Sequence, residues 1–346
     1  MRNPLKTKLR LAVAAFATLT AIGLWASEPT VTDAIAKQRY PWNELVDITC
    51  KVTGINGTTN GLEFAVSAVM PDSGSARRIS HFWVVRDGMN SVDRAVCTNG
   101  NYRLVWDARA DLGQVICSNM VMRVTIIRHG KVQLWAGGPY WAETNIGADE
   151  PHEYGCYFWW GDVVGYKRVN DGVNDVWVAS DGSSTNYSFL LSDTPTYNID
   201  AATLKSQGWI TADGVLAPEH DAAQVLWGGR WRMPTMQELS NLVCKCSWSW
   251  TKEKGVYGYR VRGWGDYYSA SIFLPAAGDM AIGTALWDAG SRGRYWSSVP
   301  YSWPGITSGN KEDSWCLDFD SRDHDTSQYG TRYYGCLVRP VQGFAN

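Results

Sequence analysis

The sequence has little net charge, few histidines and no long apolar run beyond its first residues. A formal charge of −2 over 346 residues leaves no basic field to hold nucleic acid or acidic lipid. Five scattered His and the absence of any C-x-x-C pair argue against a zinc site. Gly258 to Gly265 is glycine-rich but lacks the strand–loop–helix setting and the Lys-Ser/Thr of a phosphate loop. After the N-terminus no segment approaches the ~20 apolar residues of a membrane span.

The N-terminus itself reads as a leader. Arg2, Lys6, Lys8 and Arg10 precede an apolar run from Leu11 to Ala26, with no acid before Glu28. A basic flank, a short apolar core and small residues at Ala26 or Ser27 describe a secretory signal peptide over 1–27. No cysteine near the cut offers a lipid anchor, and with no later segment of spanning length no transmembrane anchor is expected after cleavage. The protein is therefore expected to be secreted, or to stay at the cell surface or in the periplasm. Eight cysteines in an exported chain favour disulfides, with Cys50–Cys117 a candidate cross-sheet bridge. Cys244 and Cys246 are too close together for an easy bond to each other.

What is abundant is aromatic residues and glycine: 19 Trp, 17 Tyr and 34 Gly. They describe tight turns and aromatic packing with few long helices. Roughly 320 residues beyond the leader exceed what one core usually serves, so two domains are expected.

From Leu45 to about Val132 the chain alternates with the period of a strand. Val46, Ile48, Cys50 and Val52 form one apolar set, and Leu62, Phe64, Val66 and Ala68 another. A third runs from Val115 to Ile127 around Cys117, Val121, Arg123 and Thr125. Turn signals separate them, and Trp106 to Leu112 reads as a turn between strands. Residues 38–132 are thus expected to form an all-β, immunoglobulin-like sandwich. The pattern changes near Gly137-Gly138-Pro139, and residues 138–343 are expected to form an α+β domain. One helix should start at Pro218 and run to about Trp227. Another should start at Thr235, with Glu238 completing a capping box and Met236, Leu239, Leu242 and Val243 on one face.

Six ordered stretches carry a resemblance. They are Trp141 to Ala148, Glu153 to Asp162, Trp227 to Thr235, Phe273-Leu274-Pro275-Ala276-Ala277-Gly278, Tyr295-Trp296-Ser297-Ser298 and Val338-Arg339-Pro340-Val341. Together, over about Tyr140 to Gln342, they resemble the Fibrobacter succinogenes major paralogous domain, an expanded family of exported bacterial proteins. The resemblance implies a C-type-lectin-like fold, distantly related to the formylglycine-generating sulfatase-modifying enzymes, displaying a variable surface near its C-terminus. The opening Gln38-Arg39-Tyr40-Pro41-Trp42-Asn43 is similar to leader modules found before such domains.

Most of these motif residues read as scaffold, with Trp159, Trp160, Trp231 and Trp296 as core rings. Pro300 to Tyr334 differs, with many aromatic and polar residues and only Ile306 and Leu317 as aliphatics. Rigid rings among adaptable polar groups are the composition of a recognition surface. The candidate ligand-binding residues are Tyr301, Trp303, Trp315, Asp318, Asp320, Arg322, His324, Tyr329, Arg332 and Tyr333.

Asp318, Asp320, Asp323 and Asp325 admit calcium. The Glu-Pro-Asn or Gln-Pro-Asp element of calcium-dependent lectins is absent, and no cofactor is required. His220 beside Asp221 reads as a capping or surface residue. The family relation raises a cysteine-dependent oxidase as an alternative. However, Cys316 and Cys336 are far apart in sequence, and the arginine-glycine-glycine-serine-tryptophan element of those enzymes is missing. A bridge between these two cysteines would instead brace the display loop. The expected function is non-enzymatic recognition of an extracellular glycan or protein ligand, with a structural surface protein as a further alternative.

Overall fold

The structure is a computed structural model that describes residues 29–39, 44–55, 62–69, 76–79, 81–86, 88–91, 94, 96, 98–113, 120–170, 174–280, 283–301 and 311–343. The leader at 1–27, Cys97, Cys117 and Trp303 lie outside these residues. The protein is mostly β, with 47% strand and 13% helix in several sheets. Contacts divide the chain between His129 and Gly130.

The first unit contains β1 (Thr30–Gln38), β2 (Leu45–Thr53), β3 (Leu62–Val69), β4 (Ala76–Ile79), β5 (Phe82–Arg86), β6 (Met89–Ser91), β7 (Gly100–Asp107), α1 (Ala108–Leu112) and β8 (Val121–Arg128). A five-stranded sheet, β1-β2-β7-β5-β6, and a three-stranded sheet, β4-β3-β8, close on one core. Val46, Ile48, Cys50 and Val52 face it from β2, and Phe64, Val66 and Ala68 from β3. Strand β1 lies ahead of residue 38, where the sequence places the start of this module, and pairs with β2 along its length.

One local expectation is corrected. In β8 the buried residues are Met122 and Val124, one step out of phase with the expected set. Val66 pairs with Val124 and Ala68 with Met122, so the buried face of β3 selects the even-numbered side. The turn expected at Trp106 to Leu112 follows β7 and is helical over Ala108–Leu112, where the Asp107 carboxylate accepts the Ala110 amide at its N-terminus.

The second unit contains β9 (Lys131–Gln133), β10 (Tyr140–Ala142), β11 (Tyr157–Phe158), β12 (Tyr166–Asn170), β13 (Asp175–Ala179), α2 (Ala201–Ser206), α3 (Ala222–Leu226), β14 (Trp231–Arg232) and α4 (Met236–Lys245). It continues with β15 (Ser247–Glu253), β16 (Val256–Arg262), β17 (Ser271–Pro275), β18 (Asp279–Met280), β19 (Leu286–Trp287), β20 (Arg292–Pro300), β21 (Asp313–Asp320), β22 (His324–Thr331), β23 (Cys336–Leu337) and β24 (Val341–Gln342).

Its centre is a seven-stranded sheet in the order β13-β12-β11-β23-β20-β21-β22. Side chains alternate across a strand, so one sheet feeds two cores. Tyr157, Tyr295, Leu317 and Leu337 enter the first, which α4 and the sheet β15-β16-β17 cover. Phe158, Trp296, Cys316 and Cys336 enter the second, with Leu204 of α2 and Ala222 and Ala223 of α3. Trp160, Trp231 and Trp296 are fully buried; the Trp160 and Trp296 indoles donate to the Ser297 and Phe158 carbonyls.

The helix at Thr235 forms with both bonds of its capping box. The helix expected from Pro218 to Trp227 is two pieces, a 3-10 turn at Pro218–His220 and then α3. Asp221 leaves helical geometry between them, at φ −92° and ψ 110°, to cap α3 through the Ala223 and Gln224 amides. The same carboxylate accepts the Met233 amide and so ties α3 to β14.

Burial pushes the Asp221 carboxyl up to about 6 and that of Asp162, which caps the turn into β12, up to about 7. The stability from these two acids is complete below the ordinary carboxylate range and falls as pH rises through about 6 and 7. His220 and His324, lowered by burial, act in the opposite direction over part of that window, but by less. The urea midpoint, followed by tryptophan fluorescence, is therefore expected to be lower near about pH 7.5 than near about pH 5. An equal or higher midpoint at the alkaline end would refute this.

Cys50, Cys156, Cys244, Cys246, Cys316 and Cys336 are free thiols. Strand β20 lies between β21, which carries Cys316, and β23, which carries Cys336. Two strand spacings, about 9–10 Å, separate the two backbones, beyond the reach of a disulfide. The expected brace between them does not form. Burial raises the pKa of both thiols, so they stay protonated. Peptide-resolved alkylation of the native protein should label exposed Cys244 first and leave Cys316 and Cys336 unmodified until denaturant is added.

Candidate functional site

The candidate residues separate once β21 forms. Along this strand odd and even positions face opposite sides of the sheet. Trp315 therefore stands on the side of Leu317 and Phe319, whereas Asp318 stands on the side of Cys316. The expected single surface from 300 to 334 is thus several separate features.

The first is a groove of about 620 Å³ where β21 turns into β22. Asp318, Asp320, Arg322 and His324 line it, as expected. Asp288, Arg292, Asp323, Asp325 and Gln328 line it as well. Its floor is a charge cluster that sequence reading missed. The Asp318 carboxylate accepts Arg292 Nε and Nη2 at 2.6 and 2.5 Å and Arg294 Nε at 2.9 Å. Arg294 Nη1 reaches Asp279 at 2.9 Å. Asp318 and Asp279 are buried, so this pairing fixes Arg292 and Asp318 in the groove, with Arg294 and Asp279 bracing them from outside its lining.

The rim is more open. Asp320 accepts the Arg322 amide and guanidinium and the Asp323 amide. Led by the Arg322 guanidinium, these bonds hold its carboxyl down at about 2. Asp323 accepts the His324 amide, and Asp325 the side-chain amide of Gln328. His324 stacks on Trp248 of β15 with ring centres 4.6 Å apart, and burial lowers its pKa. The calcium expectation rests on these four aspartates, each of which already accepts hydrogen bonds within the protein. Among the described residues no group of three His, Cys, Asp or Glu side chains is placed to hold a metal ion.

The second feature is a ring cluster. Trp315 and Tyr329 are cross-strand partners, and Tyr301 lies 4.5 Å from the first ring and 4.6 Å from the second. Tyr329 is the most exposed of the three. Tyr333 stands apart from both features, edge-on to Tyr197 and Tyr334, and burial pushes its hydroxyl up to about 12.

Arg332 is not a surface residue. It is fully buried, donates to the carbonyls of Asp313, Thr196 and Ile199 and to the Ser314 hydroxyl, and lies over the Trp160 ring. Its role is to join the 196–199 segment to β21. Asp318 is likewise a structural ion partner with one face toward the groove. Arg292 escaped the sequence reading because the β20–β21 register, not chain proximity, brings it to the turn, and Asp288 follows because its carbonyl accepts the Arg292 amide. Neither a scan against protein-family models nor searches of curated proteins and of solved structures finds a match to this chain.

Proposed function

We propose that this chain is an exported, non-enzymatic binding protein whose C-type-lectin-like second unit recognises a glycan at the groove between β20, β21 and the turn into β22. The ordered motifs from Trp141 to Val341 support the lectin-like scaffold. The groove itself carries the functional reading. A floor of paired Arg292 and Asp318, braced by Arg294 from outside the lining, lies beside donors and acceptors from Asp288, Arg322, Asp323 and Gln328. Phe319, the one apolar lining residue, keeps its ring in the core, so the groove presents mainly charged and polar side chains, which favours a hydroxyl-rich ligand over a hydrophobic protein patch. Recognition then rests on directed hydrogen bonds from side chains that the floor holds in place. The buried, protonated Cys316 and Cys336 argue against an oxidase that uses them as thiolates.

The test is a glycan screen of residues 28–346 beside a variant carrying Asp288→Ala and Asp323→Ala. Both side chains are on the rim; Asp288 sits at φ 57°, where alanine fits less well than aspartate, so the fold is expected to hold with a loss of about 1 kcal/mol in stability. Any glycan bound by the parent should lose about tenfold or more in affinity. Equal binding by parent and variant would sink the groove as the site, and protein ligands alone would overturn the glycan reading.

A further inference from the structure

A second surface shares no residue with the groove. It forms where the turn after β9, the end of α4 and the 263–270 loop meet. Gly263 brings these parts together, since a Cβ there would overlap the Leu134 carbonyl oxygen. Four backbone hydrogen bonds close the loop: Gly263 to Ala270, Tyr267 to Trp264, Tyr268 to Gly265 and Ala270 to Tyr267. This fixed loop leaves Trp264 60% and Tyr268 61% exposed. Large rings so exposed on a closed loop forgo burial that a looser loop would allow, which is a feature of contact surfaces.

Cations lie beside the rings. The Arg262 guanidinium sits 4.9 Å from the centre of Tyr268, and Lys245 Nζ 5.8 Å from that of Trp135. Ser247 pairs with Arg262 across β15 and β16, which brings the Lys245 end of α4 beside Arg262. Among the described residues neither cation forms an ion pair, although the chain as a whole is slightly acidic.

We propose that this surface binds an acidic polysaccharide. Sugar faces stack on Trp264 and Tyr268, and ligand carboxylates pair with Arg262 and Lys245. The rings supply area at low entropic cost, and the guanidinium fork matches a carboxylate. A bilayer fits less well, because the loop offers no Leu, Ile, Val or Met to enter it.

The test is affinity electrophoresis and calorimetry of residues 28–346 with polygalacturonate, against neutral dextran and against phosphatidylglycerol vesicles. The parent should bind polygalacturonate, and more weakly as salt rises. Trp264→Ala with Tyr268→Ala should weaken binding about tenfold or more. Arg262→Gln should weaken it several-fold and flatten the salt dependence. The groove variant Asp288→Ala/Asp323→Ala should bind as the parent does, which separates this site from the groove. No binding by the parent, equal binding of dextran, or unchanged affinity in the loop variants would each overturn the proposal. Loop-dependent capture by vesicles alone would replace it with a membrane contact.

Discussion

Arg339→Ala is expected to unfold the second unit or bring it to the edge of unfolding. Arg339 is 1% exposed and surrounded by neutral oxygens. Its guanidinium donates to Asn145 Oδ1 at 2.8 Å and to the carbonyls of Ala142 at 3.0 Å, Glu143 at 2.7 Å and Phe273 at 2.8 Å. These partners come from two of the ordered sequence motifs and Arg339 from a third, so this one side chain joins segments distant in the chain. Truncation leaves the acceptors buried without donors and opens a cavity. The expected cost is about 3–5 kcal/mol, a large part of an ordinary domain's stability. Arg339→Lys should not restore it, because an ammonium lacks the fork that reaches four oxygens. Urea denaturation followed by tryptophan fluorescence checks this. A loss below about 0.5 kcal/mol would contradict the role assigned to Arg339.

Asp318→Ala should affect both stability and recognition. It removes the carboxylate that Arg292 and Arg294 share, leaving Arg294 with Asp279 and Arg292 with Asp288 at 4.0 Å. Arg292 is about a third exposed, and solvent screens part of the loss. A cost of about 2–4 kcal/mol is expected. If most of it is the penalty of an unpaired cation, Asp318→Ala/Arg292→Ala should recover part of the stability. Neither variant should recover glycan affinity, because the groove floor is lost in both. A double variant no more stable than the single one would show that packing, not charge pairing, is what Asp318 supplies.

Local features were legible in the sequence. The Thr235–Glu238 capping box and the alternation in β2 and β3 depend on residues a few positions apart, and both form. Features that depend on pairing were not. The phase of β8 is set by β3, and the second bond of Asp221, from the Met233 amide just after β14, spans twelve positions. In the site, Asp320, Arg322 and His324 were legible because one short turn holds them. Arg292 arrives through strand register, and Asp288 with it through the turn that precedes β20. Composition also read 300–334 as one surface, whereas alternation along β21 sends Trp315 and Asp318 to opposite faces. Arg332 was misjudged because arginine in an aromatic-polar segment looks like surface, yet here its partners are buried carbonyls.

Hydrogen–deuterium exchange of residues 28–346, with and without a glycan found in the screen, tests the groove most directly. Protection concentrated in 288–292 and 318–328 is the expected result. Protection at Tyr301, Trp315 and Tyr329 with none at the groove, or no protection in either region at saturating glycan, would contradict it.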